Sequence, residues 1–358
     1  MSKILYAAGT FNHIKSFHLE YINALRAEGH EVLTMAKGEE ADFNIGFVKK
    51  MFSPGNIRCQ RIIKKILKSE KFDAVILNTT LAAFNIRAVL PRKARPKVIN
   101  IVHGYMFPFE PKSIKDRIFL FCEKLVKGKT DSVVVMNSED FAITKKYKLC
   151  LGSIRMIMGM GASVHPVIEP AELLRESLSA EDKYVISFVG ELYHGKNQEF
   201  LIKALPKIKE IIPNAVLWFI GDGVGGDELK ALAKETGVSD SVFFLGGKPN
   251  PCDFIRASDL YVSPSKKEGL PFNILEALGC GKTVLASDVK GNRDLLEDGT
   301  SGFLFKLDDE KGFLEKVKMI HSGEIRIDPI DAINQYNNYS KEHVFNDTFS
   351  VMKELLEK

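Results

Sequence analysis

Short apolar runs of strand length alternate with helical stretches along the whole chain. In the first half, the runs rich in β-branched or aliphatic residues lie at 2–8, 31–36, 73–77, 97–102 and 132–136. Helical spacing of apolar residues begins near His18 and continues to Gly29, and it returns at 57–71 and 112–128. Strands that alternate with helices predict a parallel sheet with crossover helices, the Rossmann-like arrangement of an α/β domain.

The second half repeats this alternation after a break. Strand-length apolar runs lie at 184–189, 215–220, 242–245, 260–262, 283–286 and 302–305, and helical patterns lie at 197–210, 227–236, 251–257, 272–279 and 339–358. Between 163 and 183 the periodicity fails, and we interpret this segment as an interdomain linker. The sequence therefore predicts two Rossmann-like domains, at 1–165 and 166–339, which face each other across a cleft. We expect the terminal helix, 340–358, to pack back on the first.

Composition excludes several classes of protein. The chain has 358 residues, of which 45% are hydrophobic and 27% charged, as in ordinary globular proteins. Its 5 cysteines are scattered, without CxxC or histidine-paired spacing, which favours a reducing compartment and argues against a zinc site. The apolar run at the N-terminus is too short for a signal peptide, and no apolar run in the chain approaches the length of a membrane span. We expect a soluble, cytoplasmic protein.

The net charge of +4 conceals an asymmetry between the two halves. Through Pro170 the chain has 27 Lys+Arg and 15 Asp+Glu, a net of +12, so the remainder, with 23 and 31, carries −8. Charges of opposite sign suggest that the domains have different partners, one of them polyanionic.

The stretch from Ser263 to Gly281, SPSKKEGLPFNILEALGCG, is rich in candidate chemistry. Glu268 follows a predicted strand, and Glu276 lies eight residues later, inside a helix whose N-terminal N–H groups can seat a phosphate. A carboxylate ahead of that helix can accept hydrogen bonds from sugar hydroxyls, and one within it can reach a ribose. Alternatively, Glu268 only favours the helix N-terminus and Glu276 is a solvated helix residue. The apolar neighbours of Glu276 indicate partial burial and the need for a partner.

This glutamate pair and its surroundings, SPSKKEGLPFNILEALGCGKTVLASDVKGNRDLL, resemble the retaining GT-B glycosyltransferases of family 4. The segments FVGELYHGKNQEFLIKAL, VLWFIGDGVGGDELKALAKETGVSDSVFFLGG and ASDLYVSPS resemble the rest of their C-terminal domain. In the first half, GTFNHIKSFHLEYINALRAEGHEV, NIVHGYMF and VVMNSEDF look like the branch that builds exopolysaccharide and capsule repeat units. The ordered set of segments is much more specific than the glutamate pair alone.

The resemblance implies roles for residues of the second half. Glu276 would bind the ribose, Glu268 would hold donor-sugar hydroxyls, and Lys196 would pair with the diphosphate of the leaving group. The donor would also contact the backbone of Gly269, Leu270, Pro271 and Phe272. Gly221, Asp222, Gly223, Gly246, Gly247 and Lys248 would form loops around the base, although turn chemistry explains these glycines equally well.

In the first half, the resemblance makes His103 the active-site histidine near the donor sugar. Gly9 would let the backbone approach the diphosphate or the acceptor, with Thr10 in the same loop. His13 and His18 are weaker candidates for substrate contact. Asn137, Ser138 and Glu139 follow a strand end, where a role in the cleft competes with a helix cap by Ser138.

One residue departs from the family pattern. Glu191 stands where the family usually has an arginine that shares the diphosphate with the lysine, so Lys248 or Lys266 would have to compensate, or donor affinity would be weaker. The implied reaction is transfer from a nucleotide sugar, with UDP as the default, with retention by front-face departure and cleft closure that excludes water. The sequence has no Asp-x-Asp motif, and we expect no cofactor and no required metal.

The basic first half has two candidate partners. Arg58, Arg61, Lys64, Lys65, Lys68 and Lys71 mark one basic amphipathic stretch, and Lys112, Lys115, Arg117, Lys124, Lys127 and Lys129 mark a second. Both suit an anionic membrane surface, or they are ordinary helices with a solvated face. No recognition motif supports nucleic acid. The resemblance implies a polyprenyl-diphosphate-linked acceptor, and we therefore expect the protein on the inner face of the membrane.

Other function classes remain open at this point. A nucleotide-sugar epimerase or hydrolase on the same fold would release an epimer or free sugar without an acceptor, and a non-catalytic module would bind nucleotide without turnover. A dehydrogenase is disfavoured because AAGTFNHI lacks the Gly-x-Gly-x-x-Gly fingerprint.

Overall fold

The chain folds into two compact units. The computed structural model describes residues 1–48 and 53–357. One unit comprises Met1–Gly161 together with Glu342–Lys358, and the other comprises Ala162–Lys341. The first contains 29 Lys+Arg and 18 Asp+Glu, a net of +11, and the second contains 21 and 28, a net of −7, so the charge asymmetry belongs to the units themselves.

A parallel sheet of seven described strands forms the centre of the first unit. These are β1 (Lys3–Thr10), β2 (Glu31–Lys37), β3 (Phe43–Asn44), β4 (Ala74–Asn78), β5 (Lys97–Val102), β6 (Ser132–Val135) and β7 (Ile154–Met156), in the order β3-β2-β1-β4-β5-β6-β7. Its helices are α1 (Phe11–Phe17), α2 (Leu19–Ala27), α3 (Pro54–Glu70), α4 (Thr80–Val89), α5 (Ile114–Val126) and α6 (Ser138–Tyr147). Every residue of β4 is buried, as expected for a strand covered by helices on both faces.

The second unit is a parallel sheet of six described strands. They are β8 (Tyr184–Val189), β9 (Ala215–Ile220), β10 (Val242–Gly246), β11 (Leu260–Ser263), β12 (Val284–Ser287) and β13 (Phe303–Phe305), in the order β10-β9-β8-β11-β12-β13. The helices are α7 (Ala171–Ser177), α8 (Gln198–Ile211), α9 (Gly226–Glu235), α10 (Pro251–Ala257), α11 (Phe272–Gly279), α12 (Asn292–Leu295), α13 (Glu310–Ser322) and α14 (Pro329–Asn337).

The last helix, α15 (Lys341–Glu357), packs on the first unit. The rings of Phe345 and Tyr21 stack with centroids 4.8 Å apart, and the Thr348 hydroxyl donates to the Gly159 carbonyl at 3.0 Å. The chain therefore returns to the unit in which it began.

The segment predicted to be an interdomain linker is partly folded into the second unit. The segment 163–183 is not a linker throughout, because α7 lies within it and Leu174 and Ala180 are buried in a core cluster with Trp218. The contacts divide at Gly161, four residues before the predicted boundary. The helix predicted from near His18 to Gly29 is α2, whereas the short helix α1 before it was missed; the Thr10 hydroxyl caps α1 by accepting a hydrogen bond from the His13 N–H.

Within residues 1–48 and 53–357, no helix has both the length and the apolar character that a membrane span requires.

Candidate functional site

At the carboxyl edge of the second sheet, hydrogen bonds connect the loop after β8 to the loop after β11. Lys196 ends a 3-10 helix, His194–Lys196, that follows β8. The next residue, Asn197, has a left-handed backbone, and its side-chain amide donates to the Pro264 carbonyl at 3.1 Å. The Lys266 N–H donates to the Gly195 carbonyl at 3.0 Å. These bonds fix the position of Lys196 relative to the loop that carries Glu268.

Lys196 and Glu268, both proposed from the resemblance, are in direct contact. Lys196 Nζ lies 2.6 Å from Glu268 Oε1, and their side chains are 19% and 10% exposed. A charge-assisted pair with so little solvent access is stronger than a surface ion pair. Because 72 residues separate the two in sequence, their contact is a property of the fold.

Glu276 lies half-buried in α11. Burial first, and the nearby Cys252 second, raise its pKa to about 8. No side chain among the residues that the structure describes donates a hydrogen bond to its carboxylate. The partial burial inferred from its apolar neighbours is therefore observed, but the expected partner within the protein is not. The geometry leaves this carboxylate available to hydroxyl groups of a ligand.

The loop 268–271 leads into α11 and is held by the segment after β12. A Cβ on Gly291, whose φ is +81°, would lie 2.7 Å from the Gly269 carbonyl oxygen, so the close approach requires glycine. Pro271 stands at the N-cap position of α11. Among the described residues, the N-cap position provides no side-chain cap and the first turn has no acidic residue, although the Ile274 N–H donates to Asn273 Oδ1 at 3.0 Å. Its N-terminal N–H groups therefore suit an anion.

The glycine loops after β9 and β10 pack tightly against the loop after β8. A Cβ on Gly221 would lie 2.2 Å from the Gly190 carbonyl oxygen, and one on Gly223 would lie 2.3 Å from that of Leu192. The Gly247 N–H donates to Asp222 Oδ2 at 2.8 Å. Backbone packing thus explains why glycine is needed here, and contact of these loops with the base stays a prediction.

The two cations considered as substitutes for the missing arginine differ in their surroundings. Lys248 is exposed, and its Nζ lies 5.3 Å from the centre of the Phe254 ring. Lys266 Nζ is 2.9 Å from Glu199 Oε1. Glu191 itself is exposed. Lys266, like Lys196, therefore has a carboxylate partner, and a role for either substitute at the diphosphate stays a prediction.

Sequence reasoning missed a third cation, Lys290. It is 6% exposed, follows β12, and directly precedes the glycine that packs on the loop of Glu268. A lysine placed shortly after a buried strand is the signal that could have identified it, since the carboxyl ends of parallel strands meet at one edge.

At the carboxyl edge of the first sheet, Gly9 lies within β1 rather than beyond it. Its N–H donates to the Thr79 hydroxyl at 2.9 Å, and Thr79 has a φ of +64°. Thr10 caps α1. Both residues thus have local structural partners, and their contact with a ligand stays a prediction.

Three histidines named from the sequence come together at this edge. His13 lies on α1, His18 follows it, and His103 follows β5. Their ring centroids are 4.8 to 5.2 Å apart. Burial lowers the pKa of His13 to about 4 and, with the neighbouring imidazoles, holds the pKa of His18 and His103 well below the ordinary value. His18 is fully buried, whereas His13 and His103 are half-buried, and contact of any of the three with a substrate stays a prediction.

The strand-end residues after β6 form a helix cap, although a different residue provides it. Asn137 Oδ1 accepts a hydrogen bond from the Asp140 N–H at 2.8 Å, and Ser138 is the first residue of α6, so the expected cap by Ser138 is wrong. Glu139 Oε1 accepts from the Phe109 N–H at 3.2 Å. These contacts explain the residues structurally.

A buried ion pair near His103 was not identified from the sequence. Arg87 Nη2 lies 3.0 Å from Glu123 Oε1, with side chains 1% and 5% exposed. The other oxygen, Oε2, has no hydrogen-bond partner in the part of the chain that the structure describes. The pair lines a cavity of about 240 Å³ that also reaches His103. An arginine within the apolar pattern TLAAFNIRAV was the available signal.

Known proteins resemble this chain in sequence and in structure. EpsD of Bacillus subtilis, named as a glycosyltransferase, is 30% identical over 333 residues, which cover 89% of this chain and 87% of that protein. The UDP-Gal:alpha-D-GlcNAc-diphosphoundecaprenol alpha-1,3-galactosyltransferase of Escherichia coli is 25% identical over 305 residues, 80% of this chain and 79% of that protein.

In structure, Anabaena Alr3699/HepE in complex with UDP and glucose has a TM-score of 0.76 at 18% identity, covering 99% of this chain and 100% of that one. The family described as Glycosyl transferases group 1 matches residues 171–342, which include the loops of Lys196 and Glu268. With two parallel-sheet units and these relatives, the chain belongs to the group 1 glycosyltransferases and has their GT-B fold.

Proposed function

We propose that this glycosyltransferase moves a sugar, with retention of anomeric configuration, from a UDP-sugar to a lipid-linked acceptor during synthesis of a bacterial surface polysaccharide. The contact between Lys196 and Glu268 is the observation that carries the proposal. It places a cation and a carboxylate together at the carboxyl edge of a parallel sheet, where ligands of such folds bind.

Lys196 and Glu268 have different roles when the donor binds. The diphosphate takes the Lys196 ammonium as a counter-charge, and Glu268 accepts hydrogen bonds from hydroxyls of the sugar. The uncapped start of α11, with the backbone of residues 269–272, receives the remaining phosphate or sugar oxygens. The carboxylate of Glu276, which lacks a hydrogen-bonding partner among the described residues, accepts hydrogen bonds from the ribose.

The chemical step breaks the bond between the anomeric carbon and the diphosphate oxygen. A new bond to the acceptor oxygen forms on the same face, and the proton of the acceptor hydroxyl passes to the departing diphosphate. Lys196 stabilises the charge that develops on that diphosphate, the type of interaction that contributes most in such reactions. With this lysine as the counter-charge and no Asp-x-Asp motif, we propose that the donor site works without a metal.

Names of relatives support the choice of donor and acceptor. The Escherichia coli relative is named for UDP-Gal and for a diphosphoundecaprenol-linked sugar, and the Anabaena structure contains UDP and glucose. The charge of the units agrees, because the first carries +11 and suits an acceptor with an anionic diphosphate and a lipid.

The helix α5 supports a location on the membrane surface. Ile114, Ile118, Phe121 and Leu125 follow helical spacing along one face and are 79%, 42%, 59% and 55% exposed. Exposed basic residues flank them: Lys112, Lys115, Arg117, Lys124 and Lys127. An exposed apolar stripe with basic flanks is the pattern of an interfacial helix.

The second basic helix, α3, gives weaker support. Its Cys59 and Ile63 pack in the core of the first unit, with Ile66 and Leu67 against them. Exposed Ile57 and Ile62 are its main contribution to an apolar surface. We therefore assign membrane contact to α5.

Replacing Lys115, Arg117 and Lys124 together by glutamine is expected to weaken binding to anionic vesicles by about 100-fold, because each basic residue near the surface contributes about 1 kcal/mol. The measurement is co-sedimentation with phosphatidylglycerol vesicles. The matched control replaces Lys203, Lys207 and Lys234, exposed lysines of the second unit. Equal loss in both triple variants would contradict the assignment to α5.

A panel of nucleotide sugars and nucleoside diphosphates tests the donor site. We expect UDP and one or more UDP-sugars to raise the Tm of the protein, because a ligand that binds only the folded state stabilises it by about 2.7 kcal/mol at 100 times Kd. The absence of stabilisation by every compound would contradict the proposal. Free sugar or an epimer formed without acceptor would instead favour the hydrolase or epimerase.

A further inference from the structure

We propose that His13, His18 and His103 form a binding site for Zn²⁺ in the first unit. One ring nitrogen from each histidine lies within 4.8 Å of those of the other two, a set that is consistent with holding a metal ion. Three imidazoles are a ligand set that zinc uses in proteins, with a fourth position left for water or another oxygen. All three histidines belong to the first unit, whereas Lys196 and Glu268 belong to the second.

The distance between two of the ligands already fits zinc. His13 Nε2 and His18 Nε2 are 3.3 Å apart. Two nitrogens at about 2.0–2.1 Å from a tetrahedral ion are separated by about 3.3–3.4 Å. The ring of His103 packs edge-on against both others, with centroids 4.8 and 5.2 Å away. Completing the set would bring one His103 nitrogen from its present position, within 4.8 Å of the other two, to the separation of about 3.3–3.4 Å.

Neighbouring polar groups orient the rings as outer partners of metal-binding histidines do. The Tyr6 hydroxyl lies 2.9 Å from Nδ1 of His18, the nitrogen that does not face His13. Asn78 Oδ1 lies 3.4 Å from Nε2 of His103. Tyr6 and Asn78 are themselves fully buried, and the Asn78 amide donates to the Ala7 carbonyl at 3.3 Å. Such partners fix the ring orientation of each ligand.

A zinc site was not expected from the sequence, because the scattered cysteines have no CxxC or histidine-paired spacing. His13 lies in the first turn of α1 and His18 directly after its last residue, whereas His103 comes from the loop after β5, far along the chain. The strands β1 and β5 flank β4 in the sheet, so their loops meet at one edge. The open fourth position would bind water or a ligand hydroxyl and lower its pKa.

Without a metal, the same 3.3 Å contact would be a hydrogen bond between two neutral imidazoles. A measurement of metal binding distinguishes a zinc site from such a hydrogen bond. Full-length protein is stripped with a chelator, dialysed against Zn²⁺ or Co²⁺ and gel-filtered, and its metal content is measured together with the visible spectrum of the Co²⁺ form. We expect about one ion per chain, a tetrahedral Co²⁺ spectrum that Zn²⁺ abolishes, and a higher Tm with Zn²⁺.

The variants His13→Gln and His103→Gln are expected to lose at least tenfold in Zn²⁺ affinity, since each removes one ligand. His165→Gln, at an exposed histidine outside the cluster, is the matched control and should bind as the unaltered protein does. Both ligand positions are half-buried, and circular dichroism verifies folding. If a variant fails to fold, the Co²⁺ spectrum of the unaltered protein tests the site: a tetrahedral spectrum that Zn²⁺ abolishes supports it, and its absence contradicts it.

The proposed site is wrong if the unaltered protein retains no ion. It is also wrong if His13→Gln binds Zn²⁺ as tightly as His165→Gln does. The Tm shift with UDP-sugars is measured on the same preparations and reports on the second unit. A failed metal site with an intact UDP response therefore leaves the proposed transfer in place, and the reverse result leaves the metal site in place.

Discussion

Replacing Lys196 by methionine is expected to lower kcat by about 10²–10³-fold, because it removes the cation that stabilises charge on the departing diphosphate. Methionine preserves most of the side-chain volume, so the fold should persist. It also leaves Glu268, 10% exposed, without its 2.6 Å ion-pair partner. Release of nucleoside diphosphate in the presence of acceptor is the measurement.

The matched control for this variant is Lys207→Met. Lys207 is also a lysine of the second unit with a carboxylate partner, Glu310, but both side chains are on the exposed surface of α8 and α13. Its kcat should remain within about twofold of the unaltered enzyme, as exposed ion pairs contribute little. A Lys196→Met enzyme with nearly full kcat would show that another group, such as Lys290, carries the leaving-group charge.

Replacing Glu276 by glutamine is expected to have two opposite effects. Nucleotide affinity should fall by about 10–100-fold, because hydrogen bonds to a charged carboxylate are each worth about 1.5–3 kcal/mol. In the ligand-free protein, however, stability above neutral pH should rise. The pKa of Glu276 is about 8 in the folded protein, above its ordinary value of 4.5, so the folded state holds the proton more tightly than the unfolded chain.

The sign of the pH dependence follows from that difference. Glu276 contributes stability at low pH, and this contribution is lost as pH rises from about 4.5 through 8. Tm should therefore decline with pH more steeply in the unaltered protein than in Glu276→Gln, with the gap complete above about pH 8. Glu210→Gln, at an exposed position on α8, is the control and should follow the unaltered curve.

The nucleotide side of this prediction is measured by calorimetric titration of UDP between pH 6 and pH 9. If the ribose hydrogen-bonds the ionised carboxylate, binding releases a proton and affinity increases with pH up to about 8, by at most tenfold per pH unit. The Glu276→Gln variant should lack this dependence. Identical pH profiles for affinity in the two proteins would place the ribose elsewhere.

Strands were the part of the fold that sequence patterns predicted well. The predicted strands 184–189 and 215–220 have the same bounds in the structure, since continuous apolar runs rich in β-branched or aromatic residues are typical of parallel strands buried on both faces. The helix α4 was missed, because TLAAFNIRAV carries no clear polar face and buries Asn85 and Arg87. A pattern of period 3.6 needs a polar face to be visible.

The candidate site was predictable only where residues of suitable chemistry lie close together in the sequence. Glu268 and Glu276 lie on one loop and its helix, so their spacing was informative. The raised pKa of Glu276 depends in part on Cys252, on a different helix, and the histidine cluster depends on a loop far from α1. Such long-range proximity is determined by strand order, which local patterns do not specify.

The most direct test of the proposed function is acceptor-dependent transfer, followed by nuclear magnetic resonance of the product. The protein is incubated with the UDP-sugar that raises its Tm and with a polyprenyl-diphosphate-linked sugar. We predict UDP release that requires the acceptor, and a new glycosidic bond with the anomeric configuration of the donor. Release of free sugar without acceptor, or a product of inverted configuration, would contradict a retaining glycosyltransferase.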